Sequence, residues 1–416
     1  MPRLLALILL PLLIVAACGG GGSGGGGLGG GGLVCTAESA TLAQQLQNPV
    51  TLLATDNNGV IIELPSVPAA GAQDPAGGVL VLGIGTQANN SLGAATVLDG
   101  QTDTGQYPGS ISATLNGTGY PNSYLDSGSN GNFFTDKSLT TCPSPNSGFY
   151  CPNSTVQESA NLQSPSSGAM LAANFSVANA ATLFAGNNGN STAYNNLGGT
   201  NADATSVDLG LPFFFGQNIF TGFENPATGA PPYFAYGGAQ TRAPPGPPNV
   251  EPITVDAGPA GLNPTSINTP FVSVTVCVPG TATCQTIDHI EVDTGSVGLR
   301  LIASVLTVAL PALMDASNRP LAECEQFADG TTWGSVATAD IKLPTSGAKV
   351  SAVNVQLIGD LSVGSPPSGC TGTAENTVAT FGANGIIGVG SFVNDCNSTG
   401  DCTPGSQSAN YYFCTG

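Results

Sequence analysis

Two short runs carry the residue types needed for acid–base work on a water molecule: Leu125-Asp126-Ser127-Gly128-Ser129-Asn130-Gly131 and Val292-Asp293-Thr294-Gly295-Ser296-Val297-Gly298. Each sets a carboxylate at the end of an apolar stretch and follows it with a small hydroxyl and a glycine. Each is followed at a similar distance by an apolar-apolar-Gly run leading to a phenylalanine, Phe214-Phe215-Gly216 to Phe220 and Ile386-Ile387-Gly388 to Phe392. The repetition implies an internal duplication, two halves that each donate one aspartate to a shared cleft. Two aspartates within ~3 Å of each other cannot both ionise, so they share one proton. The ionised one then acts as base toward a bound water while the protonated one donates to the carbonyl under attack. Asp126 and Asp293 are the candidate catalytic residues, and their apparent pKa values belong to the pair. Either loop alone reads as a surface Asx turn; two loops with matching runs downstream favour the dyad.

The elements that must position them are strands. Pro49 to Ala54, Val60 to Leu64, Val79 to Leu82 and Phe271 to Val276 are short apolar runs, separated by Gly, Asn, Ser and Pro, so the expected class is all-β. With 58 Gly and 31 Pro, turns are dense and long helices have no room. Glu38 to Leu46 reads as a short helix, and the helical spacing from Leu301 to Met314 is interrupted by Pro311. Gly237 to Pro248 is a proline-rich connector between the halves. The expected organisation is therefore residues 34–236, a linker at 237–250, and residues 251–416.

Ahead of these halves, residues 1–18 hold Arg3, an uncharged apolar run and Val15-Ala16-Ala17-Cys18, the pattern of an export signal ending at a lipid-modified cysteine. The run is broken by Pro11 and is shorter than the ~20 residues a spanning helix needs. Cys18 is the expected lipidation site. Bacterial lipoproteins keep that cysteine as the new N-terminus, and Gly19 resembles the residue that follows it in those sorted to the outer membrane. Residues 19–33 are a glycine-rich tether spanning about 20–23 Å. Only 7 Lys and Arg face 26 Asp and Glu, which excludes a nucleic-acid partner on electrostatic grounds.

Cysteine usage agrees with export. Eleven cysteines, less Cys18, leave an even number, which implies disulfides formed in an oxidising compartment. Spacing suggests the local pairs Cys142/Cys151, Cys277/Cys284 and Cys396/Cys402, and leaves Cys324/Cys370 and Cys35/Cys414. A metal site is not expected, because no thiol spacing matches a zinc ribbon and the chain has one histidine.

The same residues resemble the pepsin-like aspartic proteases, and more closely an uncharacterised bacterial lipoprotein family in that clan, over nearly all of Gln47 to Gly416. Ile290 to Ser296 resembles the family's first catalytic loop, Glu325 to Gly334 its flap hairpin, and Asn384 to Gly390 the run that follows. These belong to the family's first lobe, whereas Asn48-Pro49-Val50, Gly77 to Gly83, the Asp126 loop, Leu211 to Phe223 and Tyr233 to Tyr236 resemble its second. The implied fold is thus bilobal and circularly permuted, second lobe before first. Cys35 and Cys414 flank the broken connector, so a disulfide between them would reseal it.

The resemblance also assigns roles. Ser127 and Thr294 correspond to hydroxyls that lock the two loops together, and Ser129 and Ser296 to those that hydrogen-bond the outer carboxylate oxygens. Gly128 and Gly295 turn the backbone and present amides to the carboxylates. Phe327, Gly330 and Trp333 lie on the flap. The family's flap tyrosine and its tryptophan partner align with Phe327 and Arg300, which places flap order in question and leaves the dyad intact.

Two other signals fail. Val79 to Ala88 imitates a dinucleotide fingerprint, but Asn89-Asn90-Ser91 does not continue as a helix. His289 invites a Ser-His-Asp reading, yet it lies on the strand entering the Asp293 loop, where a surface histidine is the simpler account. The expected function is an exported, membrane-anchored aspartic endopeptidase of the cell envelope, monomeric and without cofactor, with an acid-shifted optimum and peptide or protein substrates. The alternatives are a peptide- or cell-wall-binding lipoprotein that keeps the cleft without turnover, and a structural protein of the cell surface.

Overall fold

The computed structural model describes residues 33–73, 76–102, 109–186, 190–237, 248–396, 402 and 409–416. The signal segment with Cys18, the tether up to residue 32 and most of the 237–250 linker lie outside the described residues. The fold is all-β. Its strands form a 15-stranded and a 7-stranded sheet among the described residues, and its α-helices there run no longer than the 6 residues of Ala180–Ala185.

Two kinds of strand follow from two kinds of pattern. Val156–Gln163 alternates exposed and buried positions and presents one face to water. Gly59–Glu63, Val297–Ile302 and Gly385–Val389 are buried throughout, as near-continuous apolar runs in the middle of a sheet should be. The 15-stranded sheet carries both halves. Val250–Val255 joins them, pairing with Ala76–Leu82 on one side and Pro270–Cys277 on the other. The largest apolar cluster accordingly runs without a break from Leu80 and Phe214 to Val292 and Ile387, one continuous core where the chain length alone allowed two.

Residues 34–48 pack with the second half. Val34–Ala37 pairs antiparallel with Ala409–Thr415, Gln47 bridges Asn394, and Leu46 packs with Leu321 and Val336. The helix expected over Glu38 to Leu46 is a single turn, with the Gln44 and Gln45 amides donating to Thr41 O. Tertiary hydrogen bonds override the propensity: Leu46 N–H donates to the Tyr411 hydroxyl at 2.7 Å, and the Gln45 side chain returns to Ala40 O. Likewise the stretch from Leu301 opens as the end of strand Val297–Ile302 and continues as a short 3₁₀ turn, Ala303–Val305.

Five disulfides form, in the pairings expected: Cys35–Cys414, Cys142–Cys151, Cys277–Cys284, Cys324–Cys370 and Cys396–Cys402. They mark an extracellular or envelope protein folded in an oxidising compartment. Among the described residues no helix is long and apolar enough to cross a membrane. Cys35 and Cys414 face each other across the Val34–Ala37 ladder and are separated by 379 residues. The loop-entropy model puts the stabilisation from so long a closure near its upper limit, about 5 kcal/mol. Replacing both by Ser should therefore lower the free energy of urea unfolding by several kcal/mol, whereas the Cys142/Cys151 double variant, which opens a far shorter loop, should lose clearly less.

Candidate active site

Strand Thr118–Leu125 delivers Asp126, and strand Cys284–Asp293 ends on Asp293. Each loop is braced from beneath by a parallel neighbour: Asp208–Leu209 runs alongside Tyr124 and Leu125, and Gly385–Val389 alongside Ile290 to Asp293. The two loops then interlock by reciprocal bonds. Ser127 N–H donates to Thr294 Oγ1 at 2.9 Å and Thr294 N–H to Ser127 Oγ at 3.1 Å. The Ser127 hydroxyl donates to Val292 O at 2.7 Å, and the Thr294 hydroxyl to Leu125 O at 3.3 Å. Every bond from one loop has its counterpart from the other.

The interlock brings the two aspartates together, each 2% exposed. Gly128 N–H donates to Asp126 Oδ1 at 2.9 Å, and Gly295 N–H to Asp293 Oδ1 at 2.6 Å. These glycines are required by close approach; neither has a positive φ. A Cβ on Gly128 would lie 2.6 Å from Asp293 Oδ1, and one on Gly295 2.7 Å from Asp126 Oδ2, so each carboxyl packs on the opposite loop's glycine. Burial, then the neighbouring Asp293, pushes the Asp126 carboxyl well above the ordinary carboxylate range.

The two outer serines differ. Ser129 Oγ lies 2.9 Å from Asp126 Oδ2 and 2.6 Å from Asp208 Oδ2. Ser296, expected to do the same for Asp293, has no partner for its buried hydroxyl among the described residues. The sheet register supplies the reason, and corrects the repeat. Gly388 stands opposite Asp293 and Ile387 opposite Val292; in the other half Leu209 stands opposite Leu125 and precedes Gly210. The structural counterpart of Ile386-Ile387-Gly388 is thus Asp208-Leu209-Gly210, and Phe214-Phe215-Gly216 lies beyond it. Asp208 occupies the position that Ile386 fills in the second half, so Ser129 gains a carboxyl partner that Ser296 lacks. An aspartate inside Val207-Asp208-Leu209-Gly210-Leu211 is the signal that sequence reasoning passed over.

The hairpin expected to serve as a flap is formed by Leu321–Gln326 and Thr331–Lys342, closed by Phe327 N–H to Gly330 O at 2.8 Å. Ala328 at its tip packs against the first-half cluster around Phe133 and Phe149, so the hairpin bridges the halves. Phe327 is turned into an apolar cluster with Phe271, Ile302 and Ile386, its ring 6.1 Å from that of Phe381. Gly330 lies too close to Glu375 and Thr373 O to carry a side chain. Trp333 is a buried anchor: Nε1–H donates to Gly364 O at 2.9 Å and the ring stacks edge-on with Tyr412.

Arg300 is fully buried among three carboxylates. Its guanidinium lies 2.8 Å from Glu323, 3.1 Å from Glu325 and 3.4 Å from Asp395. Oxygens of these carboxylates sit within 4.8 Å of one another, and the cation among them is the guanidinium itself. Burial favours a neutral arginine, but the three carboxylates outweigh it and hold the charge. Burial and the Glu323 charge push Asp395 well upward despite Arg300, and Tyr411 donates to Asp395 Oδ2 at 2.7 Å. The cluster fixes the base of the flap strand to the strand that leaves Asp293. His289 bridges Asp256 and Asp288 at 3.4 and 3.2 Å and packs on Phe271, a structural role outside the dyad.

A family model described as a protein of unknown function, DUF3443, matches residues 29–236 and 245–416. No curated protein matches the chain.

Proposed function

The chain thus belongs to the DUF3443 family, and from that premise we propose that it is an aspartic-type endopeptidase of bilobal, permuted pepsin-like fold, exported and anchored through Cys18. The observation that carries the reading is the crossed pair of loops, in which Ser127 and Thr294 hold Asp126 and Asp293 in contact. Two buried carboxyls with one proton between them are poised for hydrolysis without a cofactor. Asp293 takes a proton from the attacking water while Asp126 gives its proton to the carbonyl oxygen, forming a tetrahedral diol. Asp293 then gives its proton to the amide nitrogen while the ionised Asp126 takes one from a diol hydroxyl, so the C–N bond breaks, acid and amine leave, and the pair is restored. Loop amides at Gly128 and Gly295 steady the carboxylates through both states.

The hairpin tip, resting on the first half, must lift to admit an extended peptide and close again to exclude water. One observation favours a second reading, a binding lipoprotein without turnover: Phe327 has no hydroxyl and turns into its own apolar cluster. A cleavage assay on a random peptide pool from about pH 3 to about pH 7, with Asp293→Asn as control, decides between them. Cleavage lost in the control supports the peptidase; retained peptide binding with no cleavage at any pH supports the binding module.

A further inference from the structure

Asp208 lies wholly buried on the strand beside the Asp126 loop, and the reaction outlined above makes no use of it. The only hydrogen bond of its carboxyl among the described residues is the 2.6 Å contact to Ser129 Oγ, and its Oδ1 has no partner. Ser129 Oγ also lies 2.9 Å from Asp126 Oδ2. One hydroxyl proton cannot serve both contacts, so one of the two carboxyls must supply the second proton. The titratable groups facing Asp208 are Asp126 through Ser129, Asp293, and Tyr124, its parallel neighbour in the sheet. None is a cation, and an ionised carboxylate with a bare buried oxygen is costly.

We propose that Asp208 is a third carboxyl of the site, a buried acid that donates its proton to Ser129 Oγ and so commits the Ser129 hydroxyl to Asp126 Oδ2. As a positioning residue it rests on the dyad reading for its part in turnover, though not for its protonation. Burial, as the largest cause, pushes it well above the ordinary carboxylate range, in the same sense. The run Asp208, Ser129, Asp126, Asp293 then holds two carboxyl protons and one negative charge, and the charge stays on the dyad. The fold does not require an acid here, because Ile386 fills the matching register position on the strand that braces the Asp293 loop. The second half shows what its loss leaves: a serine hydroxyl without a partner.

Infrared difference spectroscopy at neutral pH tests the protonation without reference to activity. Wild type minus Asp208→Asn should contain a protonated-carboxyl carbonyl band, and Ser129→Ala should move that band because its acceptor is gone. Absence of the band overturns the proposal even if peptides are cleaved. Its presence in a protein that cleaves nothing keeps the buried acid and removes the peptidase reading instead. In an active protein, Asp208→Ile, tolerated because of its isoleucine counterpart, should lower kcat about tenfold with KM unchanged, the scale of one lost hydrogen bond. Asp208→Asn, whose amide still donates to Ser129, should restore kcat and leave the alkaline limb of the pH profile in place. A limb moved to lower pH in Asp208→Asn would mean that a negative charge had been removed, and equal kcat in the two variants would remove the positioning role; either result overturns the proposal.

Discussion

Asp126→Asn and Asp293→Asn should each reduce peptide hydrolysis by on the order of 10⁴-fold or more, and the double variant should fall little further, because groups acting as one unit are non-additive. An Asn at either place keeps the shape of the loop but cannot exchange the proton. Folding should be kept: Gly128 N–H and Gly295 N–H can still donate to the amide oxygens, and the Ser127/Thr294 interlock is untouched. The pH dependence has a definite sign. Hydrolysis needs one proton in the pair, so it fails at high pH when both carboxyls ionise and at low pH when both are protonated. With Asp126 pushed up by burial and by Asp293, the alkaline limb should lie above the ordinary carboxylate range. Stability moves the same way. The folded state binds protons at Asp126 that the unfolded chain releases, so this contribution is complete below the unfolded pKa and is lost as pH rises through the folded one. Initial rates and urea midpoints measured over the same pH series check both.

Arg300→Met should be the most damaging single change outside the dyad. It leaves Glu323, Glu325 and Asp395 buried without their cation, and breaking a buried charge group by removing one partner costs about 3–5 kcal/mol. Loss should be largest at neutral pH and smaller in acid, because carboxyls deprived of the guanidinium have raised folded pKa values and regain stability once protonated. An unfolding midpoint unchanged at neutral pH would mean that the cluster stores no net electrostatic free energy. Because the cluster joins Leu321–Gln326 to Val297–Ile302, the variant should also loosen the flap, read as faster proteolytic nicking near Phe327.

What the sequence disclosed and what it hid divide along one physical line. The Asp126 and Asp293 loops were legible because their chemistry is local: carboxylate, hydroxyl and glycine lie within a few residues, and the same run occurs twice. The disulfides were legible because three pairs are near neighbours in the chain, and the permuted order that the resemblance implies pairs Cys35 with Cys414 across the broken connector, leaving Cys324 to Cys370. Asp208, Arg300, Glu323 and Glu325 each interrupt an apolar strand with an ionisable side chain, which signals burial with a partner, but the partner is set by sheet register and no local pattern names it. Mistaking Phe214-Phe215-Gly216 for the counterpart of Ile386-Ile387-Gly388 followed from the same cause, since the aspartate at 208 disguises an otherwise matching run. The helix expected from Glu38 to Leu46 failed because Tyr411, hundreds of residues away, takes the Leu46 amide.

The ladder between Val34–Ala37 and Ala409–Thr415 also sets a clock. A strand that crosses a membrane early in export has no partner until one 379 residues further on has followed it, and pairings of such sequence separation form late. During that interval the edge at Ala409–Thr415's neighbour, Leu321–Gln326, stands open to intermolecular pairing. The nearby cysteines, Cys142 with Cys151 and Cys277 with Cys284, can oxidise while Cys35 still waits as a thiol. Oxidation should therefore proceed from short loops to long, and the last bond to close would report that the Ala409–Thr415 strand has arrived.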